Sequence, residues 1–455
     1  MQYDVAIIGG GISGLMIAYK LLEKKEDINI IIIERGKELE KRECPIEKRN
    51  SECINCKECS IMNGMAGAGA FSDGKFIIST EYGGKLQEII GDLKAEQYMN
   101  MANEILEDCG ATKETFEVND ELESLCDKNG LGIRKGKVKH FGTESNLKIM
   151  GNLIKKLRLK NCKILANSIV SDVDPRIKEI IVNENKKIYA KKIVFAVGRS
   201  GSEFLFNWCK KNKIKTFNNN VDLGVRVELK STIWDKITSI AYDPKIYYKS
   251  ELYKDETRMF CFNVGGKVVL ENTFEIKTVN GHAYKDEKTE NSNFALLSSI
   301  KLTEPFDEPL EYIKLFAKCV NKISNDTVIV QRYGDLKKGR RTTKERLDKS
   351  SVIPTLKVAY PGDISLCLPK RQLDNIMETI EKLDNIAPGT AGEDTLLYGI
   401  EGKYYSFIPK MEDFVIDGYD DIYACGDGCG ATRSLAQAAA NGLYLAEKII
   451  EKLRR

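Results

Sequence analysis

Histidine is nearly absent from this 455-residue chain, which has only His140 and His282. That scarcity argues against a histidine-rich metal site and leaves few candidates for imidazole acid–base chemistry. Long apolar runs are missing too. The longest, from Ile28 to Ile33, contains Asn29 and is far too short to span a bilayer. Residues 2–17 lack a basic leader and begin an apolar strand at once, so no signal peptide is expected and a cytoplasmic location is. No internal repeat or low-complexity linker stands out, and the net charge of +3 neither announces nor excludes a nucleic-acid partner.

Cysteine, by contrast, is abundant and odd in number, at 13. In a reducing compartment such residues serve as buried hydrophobes, metal ligands or catalytic groups more readily than as structural disulfides. The length suggests two or three structural domains.

Val5 to Ile8 is a short apolar run suited to a buried parallel strand, and Gly9-x-Gly11-x-x-Gly14 follows directly. Leu15 to Leu22 then has helical spacing, and a second strand ends in Glu34, twenty residues past Gly14. Gly9 permits a tight turn, Gly11 lets backbone amides approach a pyrophosphate, and Gly14 lets the helix pack close to the sheet. Glu34 is placed to accept a hydrogen bond from a ribose hydroxyl. Ser13 and Arg35 adjoin these positions and join the expected cofactor-binding set. No second such glycine motif occurs on a strand–helix unit, so a separate NAD(P)H domain is not expected.

Cys44, Cys53, Cys56 and Cys59 place four thiols within 16 residues of polar chain without helical or strand period. Such spacing lets a loop wrap several thiolates around one centre. A [4Fe–4S] cluster is the favoured reading, with zinc or no metal as the alternatives. A flavin exchanges one or two electrons and a cluster one, so the pair would interconvert single-electron and hydride chemistry. No Cys-x-x-x-x-Cys of the disulfide-reductase type is present.

The strand Asp421 to Ala424 and the following Cys425-Gly426-Asp427-Gly428 resemble the second FAD motif of the glutathione-reductase-like flavoproteins. In that group the acid binds the ribityl chain, a role the resemblance carries to Asp427. Ile193 to Gly201, with Gly198, resembles their middle motif. Most of the chain is similar to a group of bacterial FAD-dependent dehydrogenases. The likeness rests on Gly67-Ala68-Gly69-Ala70-Phe71-Ser72-Asp73-Gly74-Lys75, His140-Phe141-Gly142-Thr143, Asp222 to Glu228, Asn280-Gly281-His282, Gln331 to Asp335, Gly426-Asp427-Gly428 and Thr432-Arg433.

The resemblance implies an α/β fold: a discontinuous Rossmann-type FAD-binding domain with an inserted α+β substrate domain. The expected FAD-binding parts are 1–80, 145–205 and 400–455, with a helical connecting segment over 81–144 and the substrate domain over 206–399. Gly67, Ala68, Gly69, Ser72 and Asp73 would lie along the flavin or ribityl chain, or form an ordinary tight glycine loop. Arg226 and Glu228 share a strand face and would line a substrate cavity or form a structural ion pair. His282 is the leading candidate proton donor, ahead of His140, although a turn histidine is more often solvated. Cys429 stands where relatives have a small residue, and either packs or approaches the flavin.

The expected activity is hydride transfer from reduced FAD to an unsaturated or heterocyclic small-molecule substrate held between the two domains. Electrons would come from a ferredoxin-like donor or NAD(P)H. Two alternatives stand beside it: a flavoenzyme that modifies a base in RNA, gripping phosphate with the basic run Lys337 to Arg346, and a non-catalytic electron carrier or redox sensor. RNA is the less favoured partner because the run lacks interleaved aromatics.

Overall fold

The computed structural model describes residues 2–25, 27–45, 56, 58–72, 74–273, 276–283, 288–306 and 308–454. It divides into two compact units. The first comprises Met1–Thr115, Lys139–Asn219 and Tyr405–Arg455; the second comprises Phe116–Val138 and Asn220–Tyr404. The mixed α/β class expected from sequence is the one observed, with the first unit assembled from three stretches. The segment 81–144 does not stand apart: residues 81–115 fold into the first unit and 116–138 into the second.

The first unit is built on the strand Gln2–Ile8, which pairs in parallel with Ile30–Ile33 on one side and Lys186–Phe195 on the other. Ile422–Ala424 adds in parallel beyond Lys186–Phe195, and Lys163–Leu165 beyond Ile30–Ile33. A central parallel strand is covered on both faces, which is why Val5 to Ile8 reads as unbroken hydrophobe and is buried throughout. The helix Ile12–Lys24 packs on the helix Leu435–Leu453 so closely that a Cβ on Gly442 would lie 2.4 Å from the Ser13 carbonyl oxygen. Ser434 caps that last helix, its hydroxyl accepting from the Gln437 amide.

The second unit centres on an eight-stranded sheet, antiparallel but for one edge pair. Val221–Lys230 is its core strand, paired antiparallel with Asn291–Ile300 and Leu396–Tyr404. Gly224 is required there because a Cβ would meet the Leu296 carbonyl oxygen at 1.9 Å. The helices Pro309–Ile323 and Lys370–Asp384 bury one apolar stripe each, through Ile313, Ala317 and Val320 and through Ile376, Ile380 and Leu383. Among the described residues no helix is long and apolar enough to cross a membrane.

Candidate functional site

Parallel strands deliver their carboxyl ends to one edge of the first unit's sheet. Ile8 is in register with Ile33 and with Phe195, and Phe195 with Ala424. Gly9, Glu34, Gly198 and Gly426 therefore lie just beyond one edge, the side on which open α/β sheets bind ligands.

Each fingerprint glycine has its own steric reason. Gly9 has φ +112°, and a Cβ there would sit 2.2 Å from the Ala196 carbonyl oxygen. A Cβ on Gly14 would sit 2.2 Å from the Gly9 carbonyl oxygen. Gly11 differs: its backbone is extended, and only the Gly67 Cα, at 4.0 Å, would meet an added Cβ. Gly11 also caps the helix Ile12–Lys24 without a side-chain hydrogen bond, so no side chain caps the first-turn amides. The Glu34 carboxylate is buried and accepts from the Gly10 amide at 2.8 Å and the Gly36 amide at 2.9 Å. Ser13 is buried with its hydroxyl 2.6 Å from where a Cβ on Gly426 would stand.

Arg42 organises the glycine loop. It is 4% exposed, and its guanidinium donates to the carbonyls of Ser60 (2.8 Å), Ile61 (2.7 Å), Met65 (2.7 Å) and Gly67 (2.8 Å). It also lies over the Phe71 ring. Burial lowers its pKa to about 10, against the raising influence of Glu34 and Cys59. Ala68 to Phe71 form a 3-10 turn after Gly67, whose φ is +67°. The fully buried Asn146 donates to the carbonyls of Gly69 and Ala70, while its Oδ1 has no hydrogen-bond partner. Ser72 is engaged within the loop, donating to Gly69 and accepting from the Gly74 amide. Asp73 lies outside the described residues.

At the other end of the site, Asp427 accepts from the Thr432 hydroxyl at 2.6 Å. Burial raises its pKa, opposed by Thr432 and by the positive charges of Arg199 and Arg433. The Gly426 amide donates to Asn441 Oδ1 at 2.8 Å, leaving the Nδ2 of that fully buried asparagine without a partner. Gly198, with φ +62°, has nothing within 4 Å of where a Cβ would be. Cys429 is fully buried, donates to the Gly426 carbonyl, and has its thiol pushed up to about 12 by burial, so it sits here as a neutral packed group. Arg35 donates to the Ser200 carbonyl and pairs with Glu58. Cys44 and Cys59 are half-buried and Cys56 is exposed, all as free thiols. Cys53 lies outside the described residues, and among those described no three His, Cys, Asp or Glu side chains are gathered to hold a metal.

Sequence reasoning missed Arg42, Asn146 and Asn441. An arginine in a polar stretch carries no motif. Asn441, a polar residue inside the apolar helix Leu435–Leu453, was the one visible signal.

The second unit holds the remaining candidates. Arg226 is fully buried and forks onto Glu401, with Nε to Oε2 at 2.7 Å and Nη2 to Oε1 at 2.9 Å. Its other donors reach the Cys261 carbonyl, Asn293 and Asn280. Glu228, on the same strand face, pairs elsewhere, accepting from Thr355, Tyr398 and Asn291. His282 is half-buried at the end of the hairpin strand Ile276–His282, opposite Lys267. His140 ends the strand Lys137–His140. In the basic run, Lys337 pairs with Glu381, Lys338 with Glu393, and Arg340 with the fully buried Asp335 at 2.8 Å. Arg346 approaches the same carboxylate at 4.0 Å, so among the described residues only Arg341 and Lys344 of the run make no ion pair.

Solved structures similar to this chain include L-proline dehydrogenase from P. horikoshii, at 12% identity over 99% of this chain and 94% of that one, with a TM-score of 0.42. Glycine oxidase from Bacillus cereus shows 13% identity over 99% and 95%, with a TM-score of 0.40. An uncharacterized protein of Clostridium beijerinckii is 25% identical, over 98% of this chain and 80% of its own length. Residues 220–404, the whole of the larger stretch of the second unit, match the family described as "FAD-dependent protein, C-terminal domain-like".

Proposed function

We propose that this chain is an FAD-dependent oxidoreductase that binds FAD along the carboxyl edge of the first unit's parallel sheet. The observation that carries the reading is the gathering at that edge of the helix N-terminus at Gly11, the buried Glu34 carboxylate fixed by two glycine amides, and Asp427 after the strand Ile422–Ala424. Two fully buried asparagines near it, Asn146 and Asn441, each keep one polar atom without a protein partner. Buried polar atoms are normally satisfied, so such orphans suit a polar ligand. The family matched by residues 220–404 supports the same cofactor.

FAD when bound supplies one- and two-electron transfer. The chain's part is to hold and tune it. First-turn amides of the helix Ile12–Lys24 suit a pyrophosphate. Glu34, fixed by two glycine amides, keeps lone pairs for a ribose hydroxyl, and Asp427, steadied by Thr432, suits the polyol chain. The substrate we infer is a small unsaturated or heterocyclic molecule, with electrons from NAD(P)H or a ferredoxin-like protein. Purified protein should show a flavin band near about 450 nm. Gently prepared protein that has no such band, and gains none on incubation with FAD, overturns the proposal.

The cysteine loop is proposed as the place of a [4Fe–4S] cluster, on the spacing of Cys44, Cys53, Cys56 and Cys59 and on the positive charge of Arg42 facing Cys59. Iron and acid-labile sulfide are expected in anaerobically purified protein and absent from the Cys53→Ser/Cys56→Ser variant. Full iron content in that variant removes the assignment.

A further inference from the structure

Two thiols of the second unit lie in contact although they stand 48 residues apart in sequence: the sulfurs of Cys319 and Cys367 are 3.7 Å apart. Their surroundings differ sharply. Cys319 is exposed near the end of the helix Pro309–Ile323, directly before the buried Val320 and so at the flank of the buried stripe. Cys367 is 3% exposed and follows the 3-10 turn Ile364–Leu366. That turn is anchored, because the Ile364 amide donates to Oε1 of the fully buried Gln331 at 2.8 Å and the Cys367 amide donates to the Ile364 carbonyl at 3.0 Å. One sulfur is thus open to solvent and the other is fixed directly behind it.

A disulfide needs the sulfurs at about 2.05 Å, so closing the observed gap requires a shift of under about 2 Å, within the reach of side-chain rotation at the exposed partner. We propose that Cys319 and Cys367 form a peroxide-responsive dithiol, with Cys319 the attacking sulfur and Cys367 the resolving one. In the first step the Cys319 thiolate attacks hydrogen peroxide. An S–O bond forms, the O–O bond breaks, and the departing hydroxide takes up a proton to leave as water. In the second step the Cys367 sulfur attacks the sulfenic sulfur of Cys319. The S–S bond forms, the S–O bond breaks, and the Cys367 proton leaves with the hydroxyl as a second water. Two thiols lose two electrons and peroxide gains them.

The order of attack follows from the setting. Burial, with Cys319 and Asp363 adding to it, pushes the Cys367 thiol up to about 12, which keeps it protonated until a sulfenic partner appears beside it. The product would tie the helix Pro309–Ile323 to the turn ahead of the helix Lys370–Asp384. The closed loop would include the strand Ile329–Arg332 and the basic run that follows it. Leu315 and Ile323, four residues to either side of Cys319 on its helix, and Leu366, next to Cys367, are all exposed.

The test uses the full chain, reduced, freed of reductant, treated with stoichiometric hydrogen peroxide, then alkylated, digested and read by mass spectrometry. A peptide joined through Cys319 and Cys367 is expected in the wild type. In Cys367→Ser a sulfenic acid trapped by dimedone at Cys319 should rise at least tenfold over the wild type. In Cys319→Ser, a change at an exposed position, Cys367 should remain unoxidised. The proposal is overturned if the wild type yields no joined peptide, or if dimedone labels Cys319 equally with and without Cys367. If Cys367→Ser does not fold, the wild-type peptide and Cys319→Ser decide alone. None of these readouts uses flavin, so the result is independent of the assignment of FAD.

Discussion

Gly11 and Gly67 approach one another closely: a Cβ on Gly67 would crowd the Gly11 Cα at 3.2 Å, whereas one on Gly11 would meet the Gly67 Cα at an ordinary contact distance of 4.0 Å. The two glycines are not equivalent. Gly67, with φ +67° and ψ −172°, occupies backbone space that side chains avoid at a cost of about 1–3 kcal/mol, whereas Gly11 is extended and unstrained. Gly11→Ala should therefore fold with a loss of about 0.5–1 kcal/mol at most. It should nonetheless retain FAD at least about tenfold less tightly, equivalent to about 1.4 kcal/mol. Thermal unfolding and flavin titration separate the two effects. Unchanged FAD affinity in this variant would place the cofactor elsewhere.

Arg42 satisfies the carbonyls of Ser60, Ile61, Met65 and Gly67 from one buried guanidinium. Arg42→Met keeps bulk and removes every donor. Each buried carbonyl left unpaired costs about 1–3 kcal/mol, so a total loss of at least about 3 kcal/mol is expected even with partial rescue by water. Hydrogen exchange should show the loop 60–67 losing protection before the sheet does. A variant with wild-type stability and unchanged exchange would mean the four contacts contribute nothing.

Asp335 offers a pH test. Burial pushes its carboxyl up, but the Thr342 hydroxyl, Arg340 and Arg332 outweigh that and hold it below the ordinary 3.8. A carboxylate depressed on folding adds stability that is complete above its unfolded value and is lost as the pH falls through the lower folded value. Arg340→Ala should therefore raise the pH at which the second unit unfolds in acid. Arg341→Glu with Lys344→Glu, whose side chains make no ion pair among the described residues, should stay within about 0.5 kcal/mol of wild type. Circular dichroism against pH gives the first comparison and thermal unfolding the second. Of the basic run, only this second pair tests RNA retention without also disturbing the fold.

Much of the first unit was legible because backbone chemistry constrains it. The run Val5–Ile8, the glycines at 9, 11 and 14, and Glu34 at the end of a strand follow from how a parallel strand meets a helix, and they stand where that logic puts them. Long-range satisfaction was not legible. Arg42 finds carbonyls some twenty residues away, and residues 116–138 join a sheet through the strand Gly132–Arg134, whose partner Lys245–Lys249 lies over a hundred residues on. No local spacing encodes such pairings. The same holds for Arg226 and Glu228, whose shared strand face suggests a substrate-lining pair or a structural ion pair, whereas each has its partner on another strand or loop.

Arg226 and Glu401 decide between a substrate-binding and a structural role for the buried arginine. Every observed contact of the guanidinium is to protein: the fork to Glu401, the Cys261 carbonyl, Asn293 and Asn280. Removing one partner of a buried ion pair strands the other charge and costs about 3–5 kcal/mol, while replacing both can be close to neutral. Arg226→Met should thus destabilise the second unit by that amount, and Arg226→Met/Glu401→Gln should recover part of it. The coupling between the two changes should exceed about 1 kcal/mol in a double-mutant cycle. A substrate-binding arginine would behave differently: the single variant would raise KM with little change in stability, and the second change would rescue nothing. Denaturant unfolding of the four proteins in the cycle distinguishes the outcomes, and additive effects would return Arg226 to the list of substrate-facing residues.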